Sequence, residues 1–126
     1  MSLRTPLKNV RRLGSAKEGA DHFWKQRVTA VANVFLGIGL VWVVAQAVNA
    51  DHAGAVALIS NPFVALLLLL LILSGTLHMR LGMQVVIEDY ISSEGAKIAL
   101  LILNTFFAVT VGLASIYAIL KLSFGA

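Results

Sequence analysis

Three long apolar stretches constrain this chain more than any other feature of its sequence. They cover residues 28–48, 62–90 and 96–121. A helix needs about 20 mostly apolar residues to cross the hydrocarbon core of a bilayer. Because these stretches use most of the chain, little is left to form a separate soluble domain. We therefore predict an all-α integral membrane protein, a single domain over residues 1–126 with three transmembrane helices.

The composition supports a membrane protein. The chain is 59% hydrophobic and 13% charged, with a mean hydropathy of +0.87, whereas a soluble domain carries about 25% charged residues. The sequence contains no cysteine, which excludes disulfides, thiolate metal sites and iron–sulfur ligation on this chain.

Basic residues are concentrated before the first apolar stretch. Seven of the ten Lys and Arg precede residue 28, and residues 49–62 contain none. Since basic flanks stay on the inner side of a membrane, we expect the N-terminus and the loop around Lys97 inside, and the C-terminus outside. We expect the basic arm to contact lipid, with no nucleic-acid partner.

The N-terminal region, residues 1–27, is predicted to be a basic arm followed by a short interfacial helix. We expect residues 1–14 to be extended. The sequence SAKE fits a capping box, with Ser15 and Glu18 at the helix start. Phe23 and Trp24 then lie at headgroup depth, where aromatic side chains concentrate. The segment 49–62 is predicted to be a loop.

The third apolar stretch carries small and polar residues suited to helix packing. Small residues at four-residue spacing let helices approach closely in a bilayer, and they occur here as the pairs Ala108/Gly112 and Ala114/Ala118. We expect Asn104 and Thr105 to form hydrogen bonds between helices.

The second apolar stretch contains ionisable residues on one helical face. Gly75, His78, Gly82, Val85 and Asp89 are spaced by 3, 4, 3 and 4 residues, which places them on one stripe of an α-helix. Ionisable residues inside a membrane usually face a partner or a cavity. Two glycines beside an imidazole leave a flat notch that suits a planar porphyrin.

A packing role for the same histidine is the alternative. His78 would then form a hydrogen bond to another helix, and the glycines would serve close approach. If His78 ligates a haem iron, a second ligand is required. His52 lies on the outer side and His22 fits an interface residue, so we expect that ligand to come from another chain.

Asp89 and Tyr90 lie about 16–18 Å further along the helix than His78. A tyrosine hydroxyl can donate a hydrogen bond to a quinone carbonyl oxygen, and a neighbouring carboxylate can orient that donor or relay a proton. The alternative is a solvated helix end.

Two motifs together resemble the small hydrophobic membrane-anchor family of succinate dehydrogenase, the small cytochrome b anchor. In that family, a histidine on the second span is followed by a glycine four residues later. An Asp-Tyr pair follows eleven and twelve residues after the histidine. The segment DHFWKQRVTA resembles the family's sequence before the first span. The matching residues here are His78, Gly82, Asp89, Tyr90, Arg27, Thr29 and Ala30.

The resemblance implies specific roles for four residues. His78 matches the axial iron ligand of a haem b shared between two anchor subunits, and Arg27 matches an arginine near the haem propionates and quinone pocket. Tyr90 matches the tyrosine that binds ubiquinone, and Asp89 its acidic neighbour. Arg80, two residues after His78, departs from the family; it either reaches a propionate or extends to the lipid headgroups.

The resemblance also implies partners and a location. They are a second cytochrome b anchor subunit, an iron–sulfur subunit and a flavoprotein subunit, in the bacterial cytoplasmic or mitochondrial inner membrane. Succinate would be oxidised on the flavoprotein, because no residue here performs that step. The alternatives are an anchor of quinol:fumarate reductase, a haem-free three-helix assembly or transport protein, and a homodimeric cytochrome.

Overall fold

The computed structural model describes residues 5–11 and 18–125, and every regular element within these ranges is an α-helix. In chain order the helices are α1 (Pro6–Arg11), α2 (Gly19–Ala47), α3 (His52–Ser60), α4 (Pro62–Tyr90) and α5 (Glu94–Ser123). Helices α2, α4 and α5 are each long and apolar enough to cross a membrane. The prediction of an all-α protein with three such helices is therefore confirmed.

Side-chain caps fix the beginnings of α3 and α4. An Asp51 carboxylate oxygen accepts a hydrogen bond from the Gly54 N–H at 2.8 Å, and Asn61 Oδ1 accepts one from the Phe63 N–H at 3.0 Å. Pro62 lies in the first turn of α4. A backbone N–H at this position would have no acceptor within the helix, so proline removes no hydrogen bond. These caps set where the chain reverses direction between α2 and α4.

The N-terminal region differs from the prediction. Residues 6–11 form a helix rather than an extended arm, with Pro6 at its first position, where proline is tolerated. A separate interfacial helix is not confirmed, because α2 continues from Gly19 to Ala47 without interruption. Phe23 and Trp24 therefore belong to the first turns of the long helix.

The continuity of α2 has a local cause. Residues 20–46 contain no proline to break the helix, and Lys25 Nζ lies 2.6 Å from Asp21 Oδ2, one turn apart. Glu18 is the N-cap residue, but its side chain makes no capping hydrogen bond. Ser15, the other half of the predicted capping box, lies outside the described residues.

The segment between the first two long helices is also helical, which corrects the prediction of a loop. Residues 52–60 include three alanines and a leucine, which favour a helix, and they follow the Asp51 cap. Helix α3 packs against α5, α4 and α2. The Ser60 hydroxyl lies 2.8 Å from the Leu122 carbonyl oxygen, which joins α3 to the C-terminal end of α5.

Helix α4 lies between the other two long helices. Helices α2 and α5 each pack against α4, and in the described part of the chain they do not pack against each other. The three helices therefore form an open row rather than a closed bundle. Grooves therefore lie along both contacts, between α2 and α4 and between α4 and α5.

Polar and small residues hold α4 against α5, as the sequence predicted. The buried Asn104 Nδ2 donates to the Arg80 carbonyl oxygen at 2.9 Å, and Arg80 Nε donates to Thr105 Oγ1 at 3.3 Å. Ala108 and Gly112 are buried at this contact. The other small pair, Ala114 and Ala118, is exposed on the surface of this chain, so its predicted packing role stays a prediction.

Few apolar side chains of the long helices are buried inside the protein. In the most apolar 18-residue window of each long helix, only 11% of the residues are buried. An apolar surface this extensive would not remain in contact with water. It therefore faces lipid or another membrane subunit.

We predict that Asn104→Leu weakens the α4–α5 contact. Leucine keeps the volume but cannot donate to the Arg80 carbonyl oxygen, and hydrogen bonds between membrane helices contribute about 1 kcal/mol. The measurement is the SDS fraction at which the protein, solubilised in mild detergent, is half unfolded. Thr110→Val, an exposed position on the same helix, is the control. Equal midpoints for the two variants would contradict the role of this hydrogen bond.

Candidate functional site

His78 lies at the contact between α2 and α4, and its ring is held by Thr29. His78 Nδ1 is 3.1 Å from Thr29 Oγ1. The Thr29 hydroxyl also lies close to two carbonyl oxygens of its own helix, with Oγ1 2.8 Å from that of Lys25 and 3.1 Å from that of Gln26. When the hydroxyl proton goes to either carbonyl oxygen, the hydroxyl accepts from His78, and Nδ1 then carries the ring proton. Nε2 is left with its lone pair.

A second contact fixes the same pair of helices. The Ser74 hydroxyl donates to the Thr29 carbonyl oxygen at 3.3 Å, and Thr29 is 7% exposed. Helix packing thus orients the imidazole. The alternative proposed from sequence, a hydrogen bond from His78 to another helix, is confirmed for Nδ1. The described hydrogen bonds leave Nε2 without a partner, so packing does not use the whole ring.

The two glycines on the His78 stripe leave open surface beside the ring. A Cβ atom built at Gly75 would meet nothing within 4 Å. At Gly82 it would meet only the end of a flexible side chain, Gln26 Nε2, at 3.3 Å. Neither glycine is needed for close backbone contact within the described residues. The α4 surface beside His78 is therefore open at Gly75, and at Gly82 it is covered only by the end of the flexible Gln26 side chain.

Polar side chains of α2 line the groove that contains His78. The groove has a volume of about 340 Å³. His22 Nε2 and Gln26 Oε1 are buried there without a hydrogen-bond partner among the described residues, and a buried polar atom without a partner costs free energy. From sequence we expect His22 at the membrane interface and have no expectation for Gln26. The sequence does contain a signal for both residues, because positions 22, 26 and 29 lie on one face of α2 and Thr29 is the residue that contacts His78.

Arg27 lines the same groove, so the structure brings together two of the predicted site residues. Its side chain is exposed, and its guanidinium carbon lies 4.9 Å from the centroid of the Phe23 ring. Cation–π contact at this distance is attractive. It leaves the guanidinium N–H groups available to an anion at the mouth of the groove.

Asp89 and Tyr90 lie apart from His78, at the C-terminal end of α4. Tyr90 is 82% exposed and lines an apolar groove of about 490 Å³ between α4 and α5, together with Met83 and Phe107. Asp89 is exposed and points about 100° away from Tyr90 round the helix axis. The structure therefore separates the histidine and tyrosine sites along one helix.

Comparison with known proteins gives one consistent family. Residues 1–112 match the family described as succinate dehydrogenase/fumarate reductase transmembrane subunit. No solved structure matches this chain.

Individual relatives match over nearly the whole chain. A succinate dehydrogenase hydrophobic membrane anchor subunit of Paracoccus denitrificans is 34% identical over 122 residues, which is 97% of this chain and 94% of the relative. Proteins of the same description from Rickettsia bellii and Rickettsia conorii are each 32% identical. They cover 92% and 84% of this chain, and 93% and 85% of their own lengths. With its three apolar helices, this chain is an integral membrane protein that belongs to the succinate dehydrogenase/fumarate reductase transmembrane subunit family.

Proposed function

We propose that this chain helps bind haem b and ubiquinone in a succinate dehydrogenase complex, so that electrons from succinate reach the quinone pool. The observation that carries the proposal is the state of His78. Its Nδ1 lies 3.1 Å from Thr29 Oγ1, and its Nε2 has no partner among the described residues. On the same face, Gly75 has open space above it and Gly82 meets only the end of the Gln26 side chain. Asp89 and Tyr90 are the proposed quinone residues.

The residues around His78 fit a haem. A histidine that ligates a metal usually donates its other ring N–H to a fixed acceptor, which sets the tautomer and the ring orientation. Thr29 Oγ1 is such an acceptor for Nδ1–H. Bound at His78, haem b would supply one-electron redox chemistry. This chain supplies the Nε2 ligand and the flat surface along α4.

The α2 side of the groove suits the anionic propionates of a haem. Arg27 offers free N–H groups, and His22 Nε2 and Gln26 Oε1 are polar atoms that lack partners among the described residues. These side chains lie nearer the inner end of the helix pair than His78 does. A propionate would thus meet a cation, while the ring would contact the apolar part of α4.

The second axial ligand is proposed to come from a partner anchor subunit. Within this chain, His52 lies in α3, at the opposite end of the long helices. His22 lies two turns before Thr29 on α2, about 10 Å along the axis. The open row of helices leaves the His78 stripe accessible to a partner helix. A homodimer would supply the ligand from a second copy of His78.

Tyr90 and Asp89 are proposed to hold and protonate the quinone. The Tyr90 hydroxyl can donate to a quinone carbonyl oxygen, and the adjacent apolar groove suits an isoprenoid tail. Asp89 is exposed to solvent, so it can exchange protons with water. Succinate oxidation itself is assigned to a flavoprotein subunit, with electrons passing through an iron–sulfur subunit.

The same proposal sets the orientation in the membrane. The basic N-terminal segment and the α4–α5 turn would lie on the cytoplasmic or matrix side, together with Tyr90. The C-terminus would lie on the opposite side. The two soluble subunits would dock where the quinone binds.

We predict that His78→Ala abolishes haem b binding, because it removes the Nε2 ligand. The measurement is the dithionite-reduced minus oxidised spectrum of the complex purified through this chain, normalised to flavin. His52→Ala is the matched control and should keep its haem bands. Unchanged haem in the His78 variant would favour the rival view of a histidine used only for packing.

We predict that Thr29→Val lowers the ratio of haem to flavin by about tenfold, the lower end of effects seen when a metal ligand loses its hydrogen-bond partner. Valine keeps the volume but cannot accept from Nδ1–H. Thr29→Ser keeps the acceptor and should restore haem. A role in packing alone predicts the reverse order, with valine tolerated and serine harmful.

We predict that Tyr90→Phe slows succinate:ubiquinone reduction by about tenfold, which corresponds to the loss of one hydrogen bond. Succinate oxidation with a soluble dye should be unchanged, because the dye takes electrons before the quinone site. Tyr117→Phe, an exposed tyrosine on α5, is the control. Equal loss of both activities in the Tyr90 variant would contradict the quinone role.

A further inference from the structure

Arg80 carries a positive charge that nothing in the described part of the chain neutralises. It is half-buried on α4, and its Nε donates to the neutral Thr105 hydroxyl at 3.3 Å. The one ion pair among the described side chains is Asp21–Lys25. A guanidinium at membrane depth is costly unless it is paired or reaches the headgroups. Its counter-ion must therefore come from outside these residues.

Arg80 does not face the His78 groove. The two residues are separated by about 200° round the axis of α4, and they contact different neighbours. His78 contacts Thr29 of α2, whereas Arg80 contacts Thr105 of α5. A haem propionate in the His78 groove is thus on the wrong side of α4 to pair with Arg80.

The depth of Arg80 places it near the lipid phosphates. Thr29, level with His78, is the second residue of the apolar part of α2, which begins at Val28. Arg80 is only about 3 Å further along α4 than His78, so it lies at the inner boundary of that apolar segment. The flexible stem of an arginine lets the charged group extend further toward the headgroups.

An apolar groove leads from Arg80 toward the centre of the bilayer. It lies between α4 and α5, has a volume of about 600 Å³, and is lined along its length by Leu73, Leu77, Val109, Leu113 and Ile116. Arg80 and Thr105 stand at its inner end. From Thr105 to Ile116 the groove follows about 16 Å of helix. It thus offers one cationic end and one long apolar side.

We propose that Arg80 and this groove bind one anionic phospholipid from the leaflet that meets the C-terminal end of α4. The phosphate lies against the guanidinium, whose planar N–H groups suit two phosphate oxygens. One acyl chain lies along the groove. The site is on the opposite side of α4 from the proposed haem residues and does not include Tyr90. The lipid proposal is therefore independent of the proposed function.

The test uses the whole complex purified through this chain. The complex is exchanged into nanodiscs that contain equal amounts of phosphatidylglycerol and phosphatidylcholine, then released into detergent. Retained lipids are counted by mass spectrometry. The wild type should retain one phosphatidylglycerol in preference to phosphatidylcholine. Arg80→Gln should retain about fivefold less, the order expected from loss of one basic side chain at an anionic lipid surface.

Two further variants separate the charge from the groove. Arg80→Lys keeps the charge and should retain more phosphatidylglycerol than Arg80→Gln. Val109→Trp fills the groove at a half-exposed position and should also lose the lipid, although Arg80 is intact. Lys121→Gln, near the other end of α5, is the control and should match the wild type.

Three results would overturn the proposal. One is equal retention of phosphatidylglycerol by the wild type and Arg80→Gln. Another is no preference over phosphatidylcholine in the wild type. The third is the loss of a partner subunit from the Arg80→Gln complex with lipid retention unchanged, which would identify a protein carboxylate as the counter-ion. Succinate:ubiquinone reduction, measured on the same samples, should be unchanged by Arg80→Gln.

Discussion

Inside a bilayer no hydrophobic force draws one apolar helix to another, so this fold depends on a few polar and close-packing contacts. They converge on α4. On one side, Thr29 binds His78 and its carbonyl oxygen accepts from Ser74. On the other side, Asn104 binds the backbone of α4 at Arg80. Because α2 and α5 do not contact each other in the described part of the chain, α4 is the long helix that packs against both of the others, and α3 links them near one end.

This arrangement explains how one histidine can serve both structure and chemistry. The Thr29 hydroxyl has one proton, and when that proton goes to the Lys25 carbonyl oxygen, Oγ1 accepts from His78 Nδ1–H. The contact that packs the helices therefore leaves Nε2 available to the haem iron proposed above. The two interpretations of His78, helix packing and metal ligation, do not compete for the same nitrogen.

The open row of helices also divides the surface into regions of different character. The His78 stripe is bordered by glycines and by polar side chains of α2, which suits a cofactor and a partner subunit. The opposite side of α4 has Arg80 above an apolar groove, which suits a lipid. Tyr90 lies at the C-terminal end of α4, beside the apolar groove that Met83 and Phe107 also line. A closed three-helix bundle would have buried at least one of these regions against the other helices.

The sequence by itself determined the three apolar helices, the shared stripe of Gly75, His78, Gly82 and Asp89, and the packing roles of Asn104 and Thr105. These follow from helical periodicity and from the cost of polar groups in lipid, which act within single helices. It did not determine the helix at residues 52–60, since short helices depend on caps and neighbours. Nor did it give the contact of Thr29 with His78 or the burial of His22 and Gln26. Only the tertiary structure decided these, because which faces meet, and at which level, depends on how α2 packs against α4 and not on either sequence alone.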